Sequence, residues 1–375
     1  MTRTIIEVHA LQTVPPSNLN RDDTGSPKTA IYGGVVRARV SSQAWKRAIR
    51  KDFGNTVDAK DLGWRTKRVV EKLANRIGEL ASDLADEAQA LAIKAFKDAG
   101  IKIESKKDKE SGAESHESGY LLFLSDQQYT RLAQYVVDAE RSDGGWDKKA
   151  LKELIKGDHS IDIALFGRMV ADMSDVNVDA SCQVAHAISV HGVANEFDYY
   201  TAIDDTKEDE DTVGAGMIGT VEFNSSTLYR YATVDVDALN RNLGDTDATV
   251  RAVSAFVRSF IVSMPTGKQN TFANRTVPDV VIVNLRDSQS INYAGAFEVP
   301  IAPEDKSSRV AAATEALTKY ASEVDWTYDE LKPLDTWVMH VGDATAAVTQ
   351  LAQPMTFGEL TEGVAGAVTE RLAAP

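Results

Sequence analysis

The chain holds one cysteine, Cys182, in 375 residues. That excludes a disulfide within the chain and any Cys-rich zinc centre. Cys182 lies beside an alternating run, which favours a buried structural thiol over a nucleophile. Long apolar stretches are missing too. No run reaches membrane length and no charged-then-apolar leader is present, so a cytoplasmic protein that neither is secreted nor spans a membrane is expected. Catalytic signatures are equally scarce: there is no G-x-S-x-G, no Walker A, no H-E-x-x-H and no paired Cys. His186 and His191 are five residues apart, on opposite faces of a strand, which is poor metal geometry. His9 and His340 have no evident acidic partner in sequence. The carboxylate pairs Asp22-Asp23 and Asp204-Asp205 lack further ligands, and the first is better read as ordering the Asn20 to Gly25 loop. No catalytic residue, metal ligand or cofactor is therefore nominated. Positive charge is in short supply: 41 Lys and Arg against 56 Asp and Glu leave a net −15. That argues against indiscriminate nucleic-acid binding.

Against this background one segment stands apart. Residues 24–51, TGSPKTAIYGGVVRARVSSQAWKRAIRK, carry seven Lys or Arg and no Asp or Glu. A basic, acid-free segment in an acidic protein points to a negative partner, most commonly phosphate. Val35 to Val40 alternates as a strand, with Val36, Ala38 and Val40 predicted on one face and Arg37 and Arg39 on the other. Ser41-Ser42 supply N-cap chemistry for a helix from Gln43 to Lys51. Trp45, Ala48, Ile49 and Phe53 form its buried stripe, and Lys46, Arg47, Arg50 and Lys51 fill the remaining surface. Hydroxyls, the Gln43 amide, free backbone N–H groups and nearby cations make such a helix start a phosphate seat. The same pattern also fits a solvated basic face on an ordinary amphipathic helix.

The coarse element order is strand (Thr4 to Leu11), helix (about 42 to 53), strand (Gln183 to Val190), strand (Thr227 to Val236), helix (from Asp245-Thr246 to Pro265) and strand (Val280 to Leu285). That is an α+β order, the split β-α-β unit of a ferredoxin-like fold, which is also the topology of RNA-recognition modules. Two insertions interrupt it. Residues 56–179 read as mostly helical, with 101–119 a polar mobile loop. Residues 193–226 read as a hairpin with strands near Tyr199 to Ile203 and Thr220 to Phe223, an acidic tip at Asp204 to Asp211, and turn glycines at Gly214, Gly216 and Gly219. The palm is then 1–55 with 180–375. Gly167-Arg168-Met169 reads either as core or as a flat-ring contact through Met169. Lys268 and Gln269, after Pro265, read either as a helix-terminating turn or as a further phosphate contact.

Several blocks resemble the CasC-like family, backbone subunits of the type I-E CRISPR interference complex Cascade, in the RAMP superfamily. They are Pro15 to Asp23, Lys28, Gly33-Gly34, Val40 to Gln43 with Lys46-Arg47-Ala48 and Arg50, Asp162 to Met169, Ala185 to Ile188, Tyr200 to Asp205, Phe223 with Tyr229 to Tyr231, Pro265 to Gln269, and Val281 to Asn284. They run in order to about residue 290; 101–119 and the tail after 300 match no motif of the family. The resemblance implies a hand-like arrangement: a ferredoxin-like palm, helical fingers and a thumb hairpin. It implies a non-enzymatic scaffold that polymerises along a CRISPR guide RNA. Its partners would be that RNA, the target DNA strand paired to it, copies of itself and other Cascade subunits. Taken together, the acid-free basic run, the helix start and the resemblance point to RNA contacts at Asn20, Arg21, Lys28, Arg37, Arg39, Ser41, Ser42, Gln43, Lys46, Arg47, Arg50, Lys51, Arg168, Lys268 and Gln269. Met169 would be a wedge against bases, and the thumb would fold over RNA. Two other classes stay open. One is a ferredoxin-like endoribonuclease acting on repeat RNA, for which no acid/base residue can be named. The other is a monomeric RNA-recognition module, which would display aromatics on its central strands; Gln183 to Val190 has none, and Tyr229 and Tyr231 lie on the other strand.

Overall fold

The computed structural model describes residues 3–107, 114–142, 145–170, 173–202, 217–302 and 308–374. Its strands are β1 (Ile5–Ser17), β2 (Thr29–Tyr32), β3 (Val35–Val40), β4 (Gly63–Thr66), β5 (Ile103–Lys107), β6 (Glu114–Ser118), β7 (Leu122–Ser125), β8 (Cys182–Val184), β9 (Ala187–Ser189), β10 (Glu196–Ala202), β11 (Met217–Asp235), β12 (Val280–Arg286) and β13 (Asp335–His340). Its helices are α1 (Ser42–Asp52), α2 (Val69–Leu80), α3 (Ala88–Asp98), α4 (Asp126–Arg141), α5 (Lys148–Lys156), α6 (Ile161–Phe166), α7 (Val236–Leu243), α8 (Thr246–Val262), α9 (Gln269–Phe272), α10 (Arg309–Thr327) and α11 (Phe357–Ala373).

The chain forms two compact units, one of residues 1–52, 183–235 and 253–375, the other of residues 53–182 and 236–252. The expected palm, 1–55 and 180–375, included Val236–Ala252, which packs within the second unit.

The first unit is built on an antiparallel sheet of order β13-β12-β1-β11-β9-β3-β2. β1 and β12 are central and apolar, and every residue of β12 is buried. Both faces of the sheet are covered. On one face Leu11, Tyr229, Tyr231, Ile282 and Val338 pack with Leu317 and Ala321 of α10 and with Tyr293 and Phe297. On the other, Val14, Val40 and Leu228 pack with Trp45 of α1, and Arg230 lies 3.8 Å over the Trp45 ring and 4.4 Å over the Phe260 ring of α8. The buried Arg230 guanidinium donates to Gln12 and to the Phe260 carbonyl, and burial pushes it down to about 9. The tail after 300 thus supplies the helix that closes one sheet face.

The second unit centres on apolar faces of α2, α3, α4 and α5, with Leu73, Ile77, Phe96, Leu132, Val136 and Leu151 in one core. α4 starts in a reciprocal cap: the Ser125 hydroxyl accepts from Gln128 N, and the Gln128 side chain accepts from Ser125 N.

Three expected elements differ. The strand Gln183 to Val190 is two short strands, interrupted at Ala185-His186, where Ala185 N donates to Tyr231 O at 2.9 Å. The strand expected at Thr227 begins at Met217, so the return strand of the arm and the sheet strand are one β11. The loop expected over 101–119 holds paired strands β5 and β6, tied by Lys106 to Glu117 at 2.8 Å and Ser105 to His116 at 3.0 Å. An exposed two-stranded ribbon buries almost nothing, so it leaves no apolar period to read. The acidic run Asp204 to Asp211, Gly214 and Gly216 lie outside the described residues.

Candidate nucleic-acid interface

Gly33 and Gly34 have φ of 58° and 80°, and Tyr32 pairs with Val35. This is a two-residue turn with positive φ at both positions, the geometry that suits a tight hairpin. It folds β2 onto β3 and carries the chain into α1. There Trp45, Ala48 and Ile49 are buried as predicted, and Phe53 follows them inward. Lys46 and Arg50 are half-buried, while Gln43, Arg47 and Lys51 are exposed. The Ser41 hydroxyl caps the helix by accepting from Ala44 N at 3.3 Å.

A chain of hydrogen bonds gathers the residues before the helix. Ser41 N donates to Asn20 Oδ1 at 2.9 Å. Lys28 N donates to Asn20 O at 2.9 Å, and Arg39 N to Lys28 O at 2.9 Å. Asp22 orders the preceding loop by accepting from Thr24 and Ser26, and these bonds, led by the Thr24 hydroxyl, hold its carboxyl below the usual range. Arg21 is exposed on the same loop and bridges Pro27. Gly267 joins the group from across the sequence. A Cβ there would lie 2.2 Å from Leu19 O and 2.6 Å from Asn18 O, so only glycine permits this approach. The next residue, Lys268, has φ of 50° and turns into α9 at Gln269. Asn20, Arg21, Lys28, Arg39, Ser41, Ser42 and Gln43, the α1 cations, and Lys268-Gln269 therefore belong to one neighbourhood of the first unit.

Two arginines expected against RNA lie elsewhere. Arg37 is fully buried: it donates to the carbonyls of Tyr32, Ser189, Phe297 and Glu298 at 2.9–3.2 Å. Alternation placed Arg37 on a solvent face, but segment 297–298 covers that face, and the exposed member is Val36 instead. Arg168 is buried in the second unit. It donates to Val176 O, Phe123 O and Ile155 O at 2.8–3.2 Å, and burial pushes it down to about 10. Neither guanidinium faces outward to a phosphate. Met169 is the opposite: 84% of it is exposed. A core role for Met169 is excluded, although its neighbours Ile163 and Leu165 are core. In the arm, β10 pairs with β11 and leaves Phe197 and Tyr199 exposed on one face. Across the ribbon Tyr200 packs on Gly219, where a Cβ would meet the ring at 2.4 Å.

Two histidines differ from their sequence reading. His9 does have an acidic neighbour: its Nε2 lies 3.6 Å from Glu7 Oε2 in the buried sheet, a carboxylate to which Arg286 Nε donates at 2.8 Å. Spacing considers His186 only as a metal ligand, yet Arg39 Nη1 donates to its Nδ1 at 3.0 Å. Tyr229 and Tyr231 are both buried under α10, so these two rings are not open for base stacking as in a stand-alone RNA-recognition module.

The sequence profile of a family described as CT1975-like protein matches residues 6–363. The chain belongs to that family. It is similar to a chain of a solved structure described as a CRISPR RNA-guided surveillance complex, pre-nicking, with 33% identity, a TM-score of 0.82, and coverage of 97% of this chain and 100% of that one. A second, described as a CRISPR RNA-guided surveillance complex, shows 29% identity and a TM-score of 0.73 over 97% of this chain and 99% of that one. No curated protein matches the chain. No described helix is long and apolar enough to cross a membrane.

Proposed function

We propose that the chain is a CasC-like backbone subunit of a type I-E Cascade complex, a cytoplasmic, non-catalytic scaffold that polymerises along the spacer of a CRISPR guide RNA. The order β12-β1-β11-β9, with α1 and α8 between strands, is read as its ferredoxin-like palm; the second unit supplies the fingers and β10-β11 the thumb. The observation that carries this reading is the gathering of Asn20, Lys28, Arg39, the α1 cations and Lys268 within a chain similar, nearly end to end, to chains of RNA-guided surveillance complexes. Phosphate contacts at such a site ignore base identity, which suits guides of differing sequence, while pairing with target DNA carries specificity.

Salt titration tests the assignment. Lys46→Ala with Arg50→Ala should weaken binding to all guide sequences alike. The slope of log affinity against log salt should fall by roughly 0.7 for each phosphate that is no longer neutralised. Lys319→Ala, on exposed α10 surface, should leave the slope unchanged. An unaltered slope in the double variant would overturn the interface. Purified protein should also leave labelled repeat RNA intact; cleavage would replace the scaffold with a processing endoribonuclease.

A further inference from the structure

His186 occupies the break between β8 and β9, at the surface. The pairs Arg39↔Ile188 and Val40↔Ala187 set it beside the end of β3, where the chain enters α1. Arg39 is itself anchored: its Nε donates to Thr29 O at 3.1 Å and its backbone N to Lys28 O at 2.9 Å. Its Nη1 meets His186 Nδ1 at 3.0 Å. A guanidinium has donors only, so Nδ1 must be the acceptor and the ring proton must sit on Nε2. Arg39 thereby fixes a tautomer and leaves the Nε2–H of this exposed residue uncommitted to Arg39.

We propose that His186 is the residue through which this interface recognises ribose, its Nε2–H donating to a 2′-hydroxyl of the bound RNA strand. The inference rests on the guide-RNA reading above and adds to it a means of telling RNA from DNA. Burial, with the nearby positive charges of Arg39 and Lys28, lowers the His186 pKa from its ordinary 6.5 and keeps the ring neutral. A neutral donor flanked by two cations is the weaker partner for phosphate, which the cations take. It is matched to the neutral hydroxyl next along the backbone. The 2′-hydroxyl is the group that marks RNA at a given site.

The test compares a short single-stranded RNA with its 2′-deoxy counterpart of the same sequence, by fluorescence anisotropy across salt. Wild type should prefer the ribose strand. His186→Phe keeps a flat ring and removes the donor; it should lose about three- to ten-fold of that preference, with the salt slope unchanged. His186→Gln restores a donor and should recover part of it. A preference that survives in His186→Phe overturns the role for His186 alone. A fall in salt slope alongside the preference overturns it too, because the contact is then to phosphate. Wild type that binds neither strand overturns the whole interface. In the free protein, nitrogen NMR at pH 8 should show His186 as the neutral Nε2–H tautomer; an Nδ1–H tautomer there overturns the argument.

Discussion

A guanidinium buried among helices has to find acceptors for its donors, and Arg168 finds them in main-chain carbonyls of three separate segments. Lysine could reach one or two of these and would leave a charge buried without full pairing. Arg168→Lys should therefore cost about 2–4 kcal/mol in the second unit, read as a shift in urea midpoint. Met169→Ala, one residue away, should leave that midpoint unchanged, because the side chain touches solvent and not core. In sequence these residues form one motif in which only the family resemblance singles out Met169, and spacing alone does not say which faces outward. The short bridge Arg168↔Val178 decides that, together with Gly167, where a Cβ would lie 2.8 Å from Val178 O. His159 is also affected by Arg168. Burial, then the Arg168 charge, lowers its pKa to about 4 from an ordinary 6.5, and its Nδ1 has no partner among the described residues. Above pH 6.5 the ring is neutral folded and unfolded, so it contributes no slope. Between 6.5 and about 4 only the unfolded chain takes the proton, so stability falls as pH falls; below about 4 both states hold it. The effect is at most about 1.4 kcal/mol per pH unit, and less because the ring is partly solvated. From pH 7 to 5 wild type should lose more stability than His159→Gln; equal losses would overturn this.

Elements are legible in the sequence where one face of them is apolar. The Trp45, Ala48, Ile49 and Phe53 stripe of α1 and the continuous run of β12 are present as read, because burial on one side or both is written directly into spacing. β2 leaves no such trace: its four residues alternate between exposed and half-buried at a sheet edge. The β5-β6 ribbon is silent for the same reason. The turn at Gly267 reads as a helix stop, but its close approach to Leu19 depends on a segment far away in the chain, which no local pattern records. That approach makes a prediction. Gly267→Ala must push the turn off the Asn18-Leu19 backbone and carry Lys268 and Gln269 with it. RNA affinity should drop several-fold although Gly267 offers no side chain to RNA, while α1 and its salt dependence persist. Affinity equal to wild type would show that Lys268 and Gln269 stand outside the interface.

At the scale of the whole chain, an acidic protein that holds one RNA needs its positive charge concentrated. None of the 56 acidic residues falls between Thr24 and Lys51. Self-repulsion at −15 discourages copies from associating without RNA, so assembly should be guide-dependent. If copies associate, the arm is the element best placed to link them, since β10 presents Phe197 and Tyr199 to solvent and, among the described residues, adds none to the two apolar clusters on the faces of the sheet. Deleting 203–218 and closing with a short Gly-Ser turn should leave the monomer folded, with its thermal midpoint within a few degrees of wild type. Co-expressed with guide RNA and viewed by electron microscopy, wild type should form an arc or filament of evenly spaced copies. The deletion should bind RNA through α1 yet lose that even spacing. The spacing has a chemical counterpart. If the arm and Met169 interrupt stacking once per copy, bases at those points stay reactive to base-specific probes even when target DNA is paired, giving a periodic pattern along the spacer. Met169→Ala should blunt that pattern while phosphate-driven affinity changes little, because a thioether replaces only part of a stacking contact worth roughly 1–3 kcal/mol on an aromatic platform. Uniform protection in wild type would mean the guide is held as one continuous stack, and neither the arm nor Met169 would then act as a wedge.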